Sequence, residues 1–529
     1  MNYIKYIIIL LVVPIFSQFG KNIVQYSTFD WHYIQTEYFD IYYYDTQVNA
    51  DYVAAESKNA YNRISKAIGW ELTNRIPIII YNSHNDFQQT NVIDMYMPEG
   101  VGGVTELYKN RVVIPYDAEH KKFKDVLNHE LVHAFINDYL YKGNAINMQD
   151  QNIKPIPLWM NEGLAEFLTE SWSTESDMWI RDLVINGEQL PTFNQLNGYL
   201  AYRGGQSIWK FIIEVLDVSY LTKETNAPTI IASIFRSISN GGDLNEAFKN
   251  NINLNLEELE EEWQKYLKKQ YWVDINDRDY IEDIATPLFN QKKINANYSI
   301  APSVSPDGLS LAFYSNHDGV MSLYIIPADC QQCEKKSFKK LLKGEMSTEF
   351  EELHILRPGI TWNPKSTKVM VAVKSRSEDA IFIINTKNNK KEKLTFSEYG
   401  IKAIFQPSWH PVDKDLIAFI GSDNIQSDIY TYNLNNNNLV NVTDDIFTDK
   451  DIEWSHNGKN IIFSSDRGSY LNSNQTKNTK KWGIQFDLYS VTINDKNNNI
   501  IRLTDTVYNE SYPQPMENDS IIAYISDQN

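Results

Sequence analysis

The sequence predicts two domains of different fold class, an α+β domain in the first half of the chain and an all-β domain in the second. Between residues 19 and 118 short apolar strands alternate with a helix, and from residue 123 to about residue 271 the apolar residues recur at helical spacing. Beyond residue 275 the periodicity changes to that of strands. A short motif also recurs along this second half, which is typical of an architecture built from repeated units.

Composition supports a folded chain with more than one core. The chain has 529 residues, of which 42% are hydrophobic, which is enough material for two or three domains. Its formal net charge is −19. Because phosphate binding depends on a concentrated Lys/Arg surface, this charge argues against a nucleic-acid partner, and we attribute the acidity to solubility.

The first 18 residues have the pattern of an export signal. Lys5 supplies a positive charge, residues 6–16 form a short apolar run, and Ser17-Gln18 offers a small-residue cleavage site. This run is too short to span a membrane, and no later stretch approaches twenty apolar residues. We therefore expect an exported protein, periplasmic or secreted, with no transmembrane segment after signal cleavage. An uncleaved signal that serves as an anchor is the alternative.

Residues 19–118 are expected to form the β-rich start of the first domain, which we place at 19–275. A hairpin-like pair, Gly100–Thr105 and Arg111–Pro115, closes this region. Glycines on an edge strand permit close approach of another backbone, so Gly102, Gly103 and Val104 are candidates for pairing with an extended peptide; a plain hairpin with a bulge is the alternative. The preceding patterns predict a strand, a helix and a strand at Phe39–Tyr44, Val53–Ile68 and Ile76–Tyr81.

The most informative motif is His129-Glu130-Leu131-Val132-His133. It lies in residues 121–141, a stretch without Pro or Gly in which apolar residues have helical spacing. Histidines at i and i+4 project from one face of a helix, so both imidazoles can reach a single metal while Glu130 points at the same centre. The motif therefore predicts a zinc site with a general base; two buried core histidines are the alternative.

A second motif, Trp159-Met160-Asn161-Glu162-Gly163-Leu164-Ala165-Glu166, begins another helical stretch, with 28 residues between His133 and Glu162. A catalytic zinc needs one more protein ligand and leaves its fourth position to water, so Glu162 is the candidate carboxylate. Glu166 follows one turn later on the same face, which suits an acceptor for the free N–H of a metal-bound imidazole. A solvated surface glutamate is the alternative for Glu166.

Two tyrosines precede a further helix. Tyr199 and Tyr202 stand before Gly204-Gly205-Gln206-Ser207, and a phenol there can donate a hydrogen bond to the oxyanion that forms when water attacks a carbonyl. The chain has 33 tyrosines, so spacing alone does not single one out.

Both metal motifs resemble those of the gluzincin metallopeptidases, and especially the bacterial group called peptidase MA-like, over roughly residues 30–270. The resemblance implies that His129, His133 and Glu162 hold Zn²⁺ and that Glu130 is the general base. It also favours Tyr202, because Tyr202-Arg203-Gly204-Gly205 matches the Tyr-x-x-Gly arrangement whose tyrosine stabilises the oxyanion in related aminopeptidases.

The chain departs from those aminopeptidases in two respects. The gap between the two metal motifs is longer, and Gly102-Gly103-Val104-Thr105 stands near the place of their Gly-x-Met-x-Asn strand motif. The resemblance therefore does not extend to exopeptidase action on a free N-terminus.

After a linker at residues 276–297, the repeats occupy residues 298–529. The steps between Val304, Trp362, Trp409 and Trp454 are 58, 47 and 45 residues, which match four-stranded propeller blades of about 40–50 residues once one insertion is allowed. No single blade can bury both of its faces, so the units must stack. A turn followed by an apolar strand marks each unit, at 302–313, 362–373, 409–419, 454–463 and, weakly, 515–524.

The repeats resemble TolB-like propeller units, and the matching motifs are Ser305-Pro306-Asp307-Gly308 and Asp466-Arg467-Gly468. Propellers usually bind partners, so we expect a partner- or substrate-binding surface, with an envelope protein as the candidate partner. The last repeat stops at residues 526–529, midway through a blade, and we expect a truncated chain or an open, incomplete propeller. Cys330 and Cys333 are expected to form a local disulfide, half a zinc site and a redox motif being the alternatives.

Together, these patterns and the two family resemblances predict an α+β gluzincin-type zinc peptidase domain followed by an all-β propeller, acting on a peptide or protein substrate. One alternative is a non-catalytic envelope adaptor that binds partners through the propeller and whose zinc is structural. Glu130 favours the enzyme, because a structural zinc site has no use for a base. Another alternative is a metal-dependent hydrolase of a non-peptide amide or ester, which shares the chemistry of polarised water.

Overall fold

The computed structural model describes residues 25–528, apart from residues 46, 94–95, 143–155, 188, 218–228, 278, 346, 424, 472–484, 494–498 and 517–518. The predicted export signal at residues 1–18 lies outside the described residues. None of the described helices combines the length and the hydrophobicity that crossing a membrane requires. The predicted change of fold class is confirmed, since helices dominate up to residue 271 and strands dominate from residue 299.

The first part of the chain is built on a mixed five-stranded sheet with the strand order β1-β2-β3-β5-β4. Its strands β2, β3 and β5 are parallel, and the edge strands β1 and β4 run antiparallel to their neighbours. The predicted hairpin forms, but its first strand is Val104–Glu106, so Gly102 and Gly103 precede the edge strand; the register continues without a bulge from Val104 opposite Val113 to Glu106 opposite Arg111. The strands are β1 (His32–Gln35), β2 (Phe39–Tyr43), β3 (Ile76–Tyr81), β4 (Val104–Glu106) and β5 (Arg111–Pro115).

Helices pack against this sheet and against one another. Helix α3, which carries the His-Glu-x-x-His motif, is buried on most sides from Leu127 onward, and its buried residues include the polar Glu130 and His133. The helices are α1 (Val48–Ile68), α2 (His84–Phe87), α3 (His120–Tyr141), α4 (Leu158–Glu170), α5 (Thr174–Asn186), α6 (Tyr199–Phe211, continued by a π-helical turn at Ile212–Leu216), α7 (Ile230–Ser239), α8 (Leu244–Ile252) and α9 (Leu256–Tyr271). Short helices α10 (Asp274–Asp277), α11 (Ile281–Ile284) and α12 (Gln291–Ile294) follow.

Each predicted repeat lies in a separate antiparallel sheet, where its apolar run forms the strand after the turn, and the last of these sheets has two strands. The sheets are β6 (Ser299–Val304), β7 (Ser310–Ser315), β8 (Ser322–Pro327) and β9 (Lys339–Lys343); β10 (Glu352–Leu353), β11 (Thr361–Trp362), β12 (Lys368–Ser375), β13 (Glu378–Asn385) and β14 (Lys391–Thr395); β15 (Ala403–Trp409), β16 (Leu416–Ser422), β17 (Ser427–Asn433) and β18 (Asn438–Asn441); β19 (Asp449–Trp454), β20 (Asn460–Ser465), β21 (Asp487–Thr492) and β22 (Ile500–Arg502); β23 (Glu510–Pro515) and β24 (Ile522–Ser526).

The first strands β6, β15, β19 and β23 share an irregularity that the repeat pattern does not predict. Their registers shift at equivalent places, and the residues at the shift, Ala301, Gln406, Asp451 and Tyr512, have φ values of 53°, 49°, 55° and 51°. Such bulges bend a strand and redirect its side chains. One pair of them also joins two sheets, because the Gln406 amide donates to Asp451 Oδ1 and accepts from the Asp451 N–H, both at 2.7 Å.

Cys330 and Cys333 form a disulfide, as predicted. The Cys333 N–H donates to the carbonyl of Leu288 at 2.7 Å, and Cys333 is buried in an apolar cluster that includes Phe289 and Phe313. The disulfide loop therefore holds the linker against the first sheet of the repeats.

Charged side chains are buried between the third and fourth sheets. Arg467 is fully buried and pairs with Asp445 at 2.8 Å and with Asp449 at 2.7 Å. The neighbouring Asp466 accepts a hydrogen bond from the Thr448 N–H at 2.8 Å, while its buried Oδ2 has no hydrogen-bond partner among the described residues. Burial is the main reason why the pKa of Asp466 rises to about 8.

This shift makes the stability of the propeller dependent on pH. A carboxyl whose pKa is higher in the folded state than in the unfolded state stabilises the fold fully below its unfolded pKa. This stabilisation is lost as the pH rises from the unfolded pKa of Asp466, about 4, to its folded pKa, about 8. We expect Asp466→Asn, which keeps an acceptor for Thr448 but carries no charge, to be more stable than the wild type at pH 8 by about 1–3 kcal/mol and to have no advantage at pH 4. Thermal unfolding measured from pH 4 to pH 8 tests this, with the exposed Asp329→Asn as the control. An advantage of equal size at both ends of the pH range would contradict the prediction.

Candidate metal centre

Helices α3 and α4 bring the three predicted ligands together. Glu162 Oε2 lies 3.2 Å from His129 Nε2 and 3.1 Å from His133 Nε2, and the two Nε2 atoms are 3.0 Å apart. Within the part of the chain that the structure describes, these three residues form the one group whose candidate ligand atoms all lie within 4.8 Å of one another. Their side chains are only 10–13% exposed, so the centre is reached from one side.

The donor set fits a divalent metal ion such as Zn²⁺. His129 Nδ1 lies 3.1 Å from Glu166 Oε1, and His133 Nδ1 lies 3.2 Å from Asn161 Oδ1, so each Nδ1–H has an acceptor and each Nε2 is left to face Glu162. Acceptors at the distal nitrogen orient the imidazole rings and raise their basicity. Two imidazoles and one carboxylate leave room for water in a four-coordinate site.

The charges of the cluster reinforce one another. Burial by itself lowers the pKa of His129, but the hydrogen bonds to Glu162 and Glu166 outweigh it and raise this pKa to about 10. Burial has the opposite effect on Glu162, and its hydrogen bonds with the two histidines nevertheless hold its pKa well below the usual range. The carboxylates thus attract positive charge at the position where the three ligand atoms meet.

Glu130 stands beside the cluster and is held by the hairpin. The Thr105 hydroxyl lies 2.6 Å from Glu130 Oε2 and 2.9 Å from the Glu130 carbonyl. A Cβ at Gly103 would come within 3.0 Å of Glu130 Cγ and 2.8 Å of Val126 Cγ1. The glycines at 102 and 103 therefore allow the hairpin to approach helix α3, and both line the cleft in front of the metal cluster, whereas Val104 pairs with Val113. Pairing of this edge with a peptide stays a prediction.

The two candidate tyrosines, Tyr199 and Tyr202, make different contacts in the structure. The Tyr202 ring stacks on the His129 ring, with centroids 5.7 Å apart and an angle of 11° between the planes. Burial, followed by the charges of Glu162 and Glu130, raises the pKa of Tyr202, so its phenol keeps its proton. The Tyr199 hydroxyl, in contrast, accepts a hydrogen bond from Arg203 Nε at 2.9 Å.

Sequence reasoning assigned no role to three residues that hold the cluster in place. Asn161 contacts His133, and Thr105 contacts Glu130. The third is Arg203, whose Nη1 lies 2.8 Å from Glu166 Oε2. Arg203 also pairs with Glu175 at 3.2 Å. Asn161 and Arg203 stand within the two recognised motifs, next to Glu162 and Tyr202, but nothing in their spacing shows which atoms they contact.

Helices α4 and α6 cross without room for side chains. A Cβ at Gly163 would lie 2.1 Å from the carbonyl carbon of Gly205, and one at Gly205 would lie 2.0 Å from the carbonyl oxygen of Trp159. Gly163 directly follows Glu162 on α4, and Gly205 lies three residues after Tyr202 on α6. The crossing therefore sets the position of Glu162 relative to Tyr202.

The cleft in front of the cluster has a volume of about 740 Å³. The first domain contributes Val126, His129, Glu130 and Tyr202 to its wall, and the propeller contributes residues from its last two sheets. This volume lies within the range of about 300–1,000 Å³ that is usual for ligand pockets. The propeller residues are Lys450, Phe486, Asn509, Glu510 and Ser511.

The first domain is similar to a known family. Residues 56–269 match the family described as Peptidase MA superfamily. Among curated proteins, none matches the chain. Solved structures similar to it include TolB from Acinetobacter baumannii, at 15% identity over 41% of this chain and 45% of that chain, with a TM-score of 0.31. Another is the β-propeller domain of the Trilobed protease from Pyrococcus furiosus, at 14% identity over 41% of this chain and 59% of that chain, with a TM-score of 0.26.

The family match is thus confined to residues 56–269, and the chain is also similar, at low identity, to TolB-like propeller structures. The superfamily is generally metal-dependent. The alignments span less than two thirds of the length of each of the two structures named above.

The glycine crossing gives a testable consequence. Gly163→Ala would force α4 and α6 apart, and we expect the free energy of unfolding to fall by about 3 kcal/mol or more, because backbone atoms cannot yield as a flexible side chain can. Thermal or denaturant unfolding measures the loss. Gly100→Ala is the matched control, since a Cβ there would meet nothing within 4 Å. Equal stability of the two variants would show that the crossing is not as close as described.

Proposed function

We propose that this protein is a zinc-dependent peptidase. The observation that carries the proposal is the convergence of His129, His133 and Glu162, with Glu130 beside them, at an open cleft large enough for a peptide segment. These three residues would hold Zn²⁺, which when bound polarises a carbonyl and lowers the pKa of its water toward about 7. Peptide or protein chains are the proposed substrates.

The residues of the cleft have distinct proposed roles. Glu130 accepts the proton of the attacking water and passes it to the leaving amine, and Thr105 orients its carboxylate for this. Tyr202 donates a hydrogen bond to the developing oxyanion. The edge formed by Gly102, Gly103 and Val104 pairs with the backbone of the substrate. Hydrolysis by this route needs no covalent intermediate with the protein.

The propeller is proposed to serve as a scaffold that binds the substrate or a partner protein of the cell envelope. Its residues in the wall of the metal cleft support a role in substrate binding. The export pattern of the first 18 residues and the disulfide between Cys330 and Cys333 support a periplasmic or secreted location, because disulfides persist in oxidising compartments.

The deciding experiment compares the wild type with Glu130→Gln on a mixed peptide library, each protein stripped of metal and reloaded with zinc. We expect equal zinc content and cleavage reduced by about 10²- to 10⁴-fold in the variant, because the general base is lost while the ligands remain. Glu257→Gln, in the exposed first turn of α9 and outside the cleft, is the control and should cleave as the wild type does.

The other outcomes distinguish the alternatives. Equal turnover by Glu130→Gln and the wild type would remove Glu130 from the mechanism. Zinc binding by the wild type without cleavage of any peptide would favour the non-catalytic adaptor with a structural zinc. Cleavage restricted to ester or non-peptide amide substrates would favour the other hydrolase class.

The contact between Glu166 and His129 gives a prediction that does not depend on turnover. We expect Glu166→Ala to weaken zinc binding by about 10- to 100-fold, because His129 loses the acceptor that orients its ring. Competition with a chromogenic chelator measures the affinity. Glu175→Ala is the matched control, since Glu175 pairs with the same Arg203 but makes no contact with His129. Equal zinc affinity of these two variants would contradict the role of Glu166.

A further inference from the structure

A lysine lies on the metal-binding face of helix α3, two turns before the cluster. Lys122, Val126, His129 and His133 stand at positions i, i+4, i+7 and i+11, so they share one face of the helix. The seven residues from Lys122 to His129 correspond to about 10 Å along the axis. Lys122 is exposed, and it lines both the metal cleft and a neighbouring cavity of about 270 Å³ on the propeller side.

Two further cations reach this place from the propeller. Arg357 Nη2 lies 3.0 Å from Glu119 Oε2, and Lys450 Nζ lies 3.2 Å from Glu119 Oε1. Both are also held by aromatic rings, since the Arg357 guanidinium lies 4.4 Å from the Phe405 centroid and Lys450 Nζ lies 3.8 Å from that of Phe486. Their positions are therefore defined without a ligand.

Lys122 differs from its helix neighbours in its pairing. Lys121 and Lys124, the helix neighbours of Lys122, are ion-paired with Asp125 and Glu56, but Lys122 forms no ion pair with any residue that the structure describes. The charge of Arg357 lowers the pKa of Lys122, which indicates that the two cations lie near each other. Arg357 and Lys450 share Glu119, and the nearby Asp117 accepts the His84 N–H at 3.1 Å, so among the described residues Lys122 is the cation of this group without an ion pair.

The other carboxylates of the propeller-side cavity have polar partners: Asp449 pairs with Arg467 at 2.7 Å, and Asp451 accepts from the Gln406 amide at 2.7 Å. Asp379 lies 3.2 Å from His354 Nε2 and accepts from the Asn85 amide at 2.8 Å, while Glu99 lies 3.4 Å from His354 Nδ1. Glu352 accepts from the Gln88 amide at 2.7 Å. These groups are thus engaged with one another, and Lys122 is left facing the space where the two cavities meet.

We propose that Lys122, Arg357 and Lys450 form a subsite for a carboxylate of the substrate, at the junction of the metal cleft and the propeller. This inference rests on the proposed peptidase function and deepens it by naming a substrate class. An extended peptide spans about 3.3 Å per residue, so the 10 Å along α3 corresponds to about three residues. The substrate is then a peptide with a carboxylate about three residues from the bond that is cleaved, either an acidic side chain or a free C-terminus.

Binding to the full-length, zinc-loaded Glu130→Gln protein tests the subsite without turnover. Fluorescent peptides would carry Glu or the isosteric Gln at each position in turn, and each peptide would be made with a free and with an amidated C-terminus. We expect removal of one carboxylate, at one place, to weaken binding by at least about tenfold, because a charge-assisted contact is lost. Dependence on the scanned position identifies a side chain as the source, and dependence on amidation identifies the C-terminus.

Variants of the two adjacent lysines give the matched comparison. Lys122→Gln should abolish the preference for the carboxylate peptide, Lys122→Arg should retain it, and Lys121→Gln should leave it unchanged, because Lys121 lines the same cleft but is paired with Asp125 and Glu170. Equal affinity for charged and neutral peptides, or equal effects of Lys122→Gln and Lys121→Gln, would overturn the subsite, as would the absence of peptide binding.

The failure of the subsite and the failure of the proposed function are distinguishable. Cleavage of peptides by the wild type with no carboxylate preference overturns the subsite alone. A carboxylate preference that depends on Lys122, in a protein whose wild type cleaves nothing, supports the subsite and overturns the peptidase.

Discussion

The arrangement of the metal centre depends on the contact between helices α4 and α6 at Gly163 and Gly205. Because no side chain separates the two backbones there, α4 can lie against both α3 and α6 at once. One face of α4 then carries Glu162 to the two histidines, and α6 places the Tyr202 ring against His129. A larger residue at either glycine would separate these three helices, and the candidate ligands would no longer share one point.

A second layer of contacts fixes the orientation of the two imidazole rings. Glu166 and Asn161 occupy the distal nitrogens of His129 and His133, and Arg203 neutralises Glu166 from behind. A carboxylate buried beside a histidine would otherwise be costly, because desolvation disfavours its charge. The buried arginine thus allows two glutamates to stand close together on α4 with both of them charged.

Much of this organisation could be predicted from local patterns. The strand at Ile76–Tyr81 and the helices α3 and α4 appear where the apolar periodicity indicates them, since each buries a continuous apolar face. Helix α1 begins five residues before the predicted Val53, and this extra turn adds the buried Ala50 to its packed face. Lysines in the last turn of α9 suit the negative end of the helix. The four bulged strands were not predicted, since their outlying residues, which include Ala301 and Gln406, share no residue type.

The sequence by itself determined the order of the two fold classes, the repeat and the chemical identity of the candidate ligands, because these depend on periodicity and on residue types at short spacing. Only the tertiary structure decided which partners orient the cluster, how near Tyr202 lies to His129, and that the propeller forms one wall of the metal cleft. Thr105 and Glu130, or Lys450 and Glu119, are brought together by strands and helices that are distant in the chain. No local pattern encodes such contacts, because they arise from how whole elements pack.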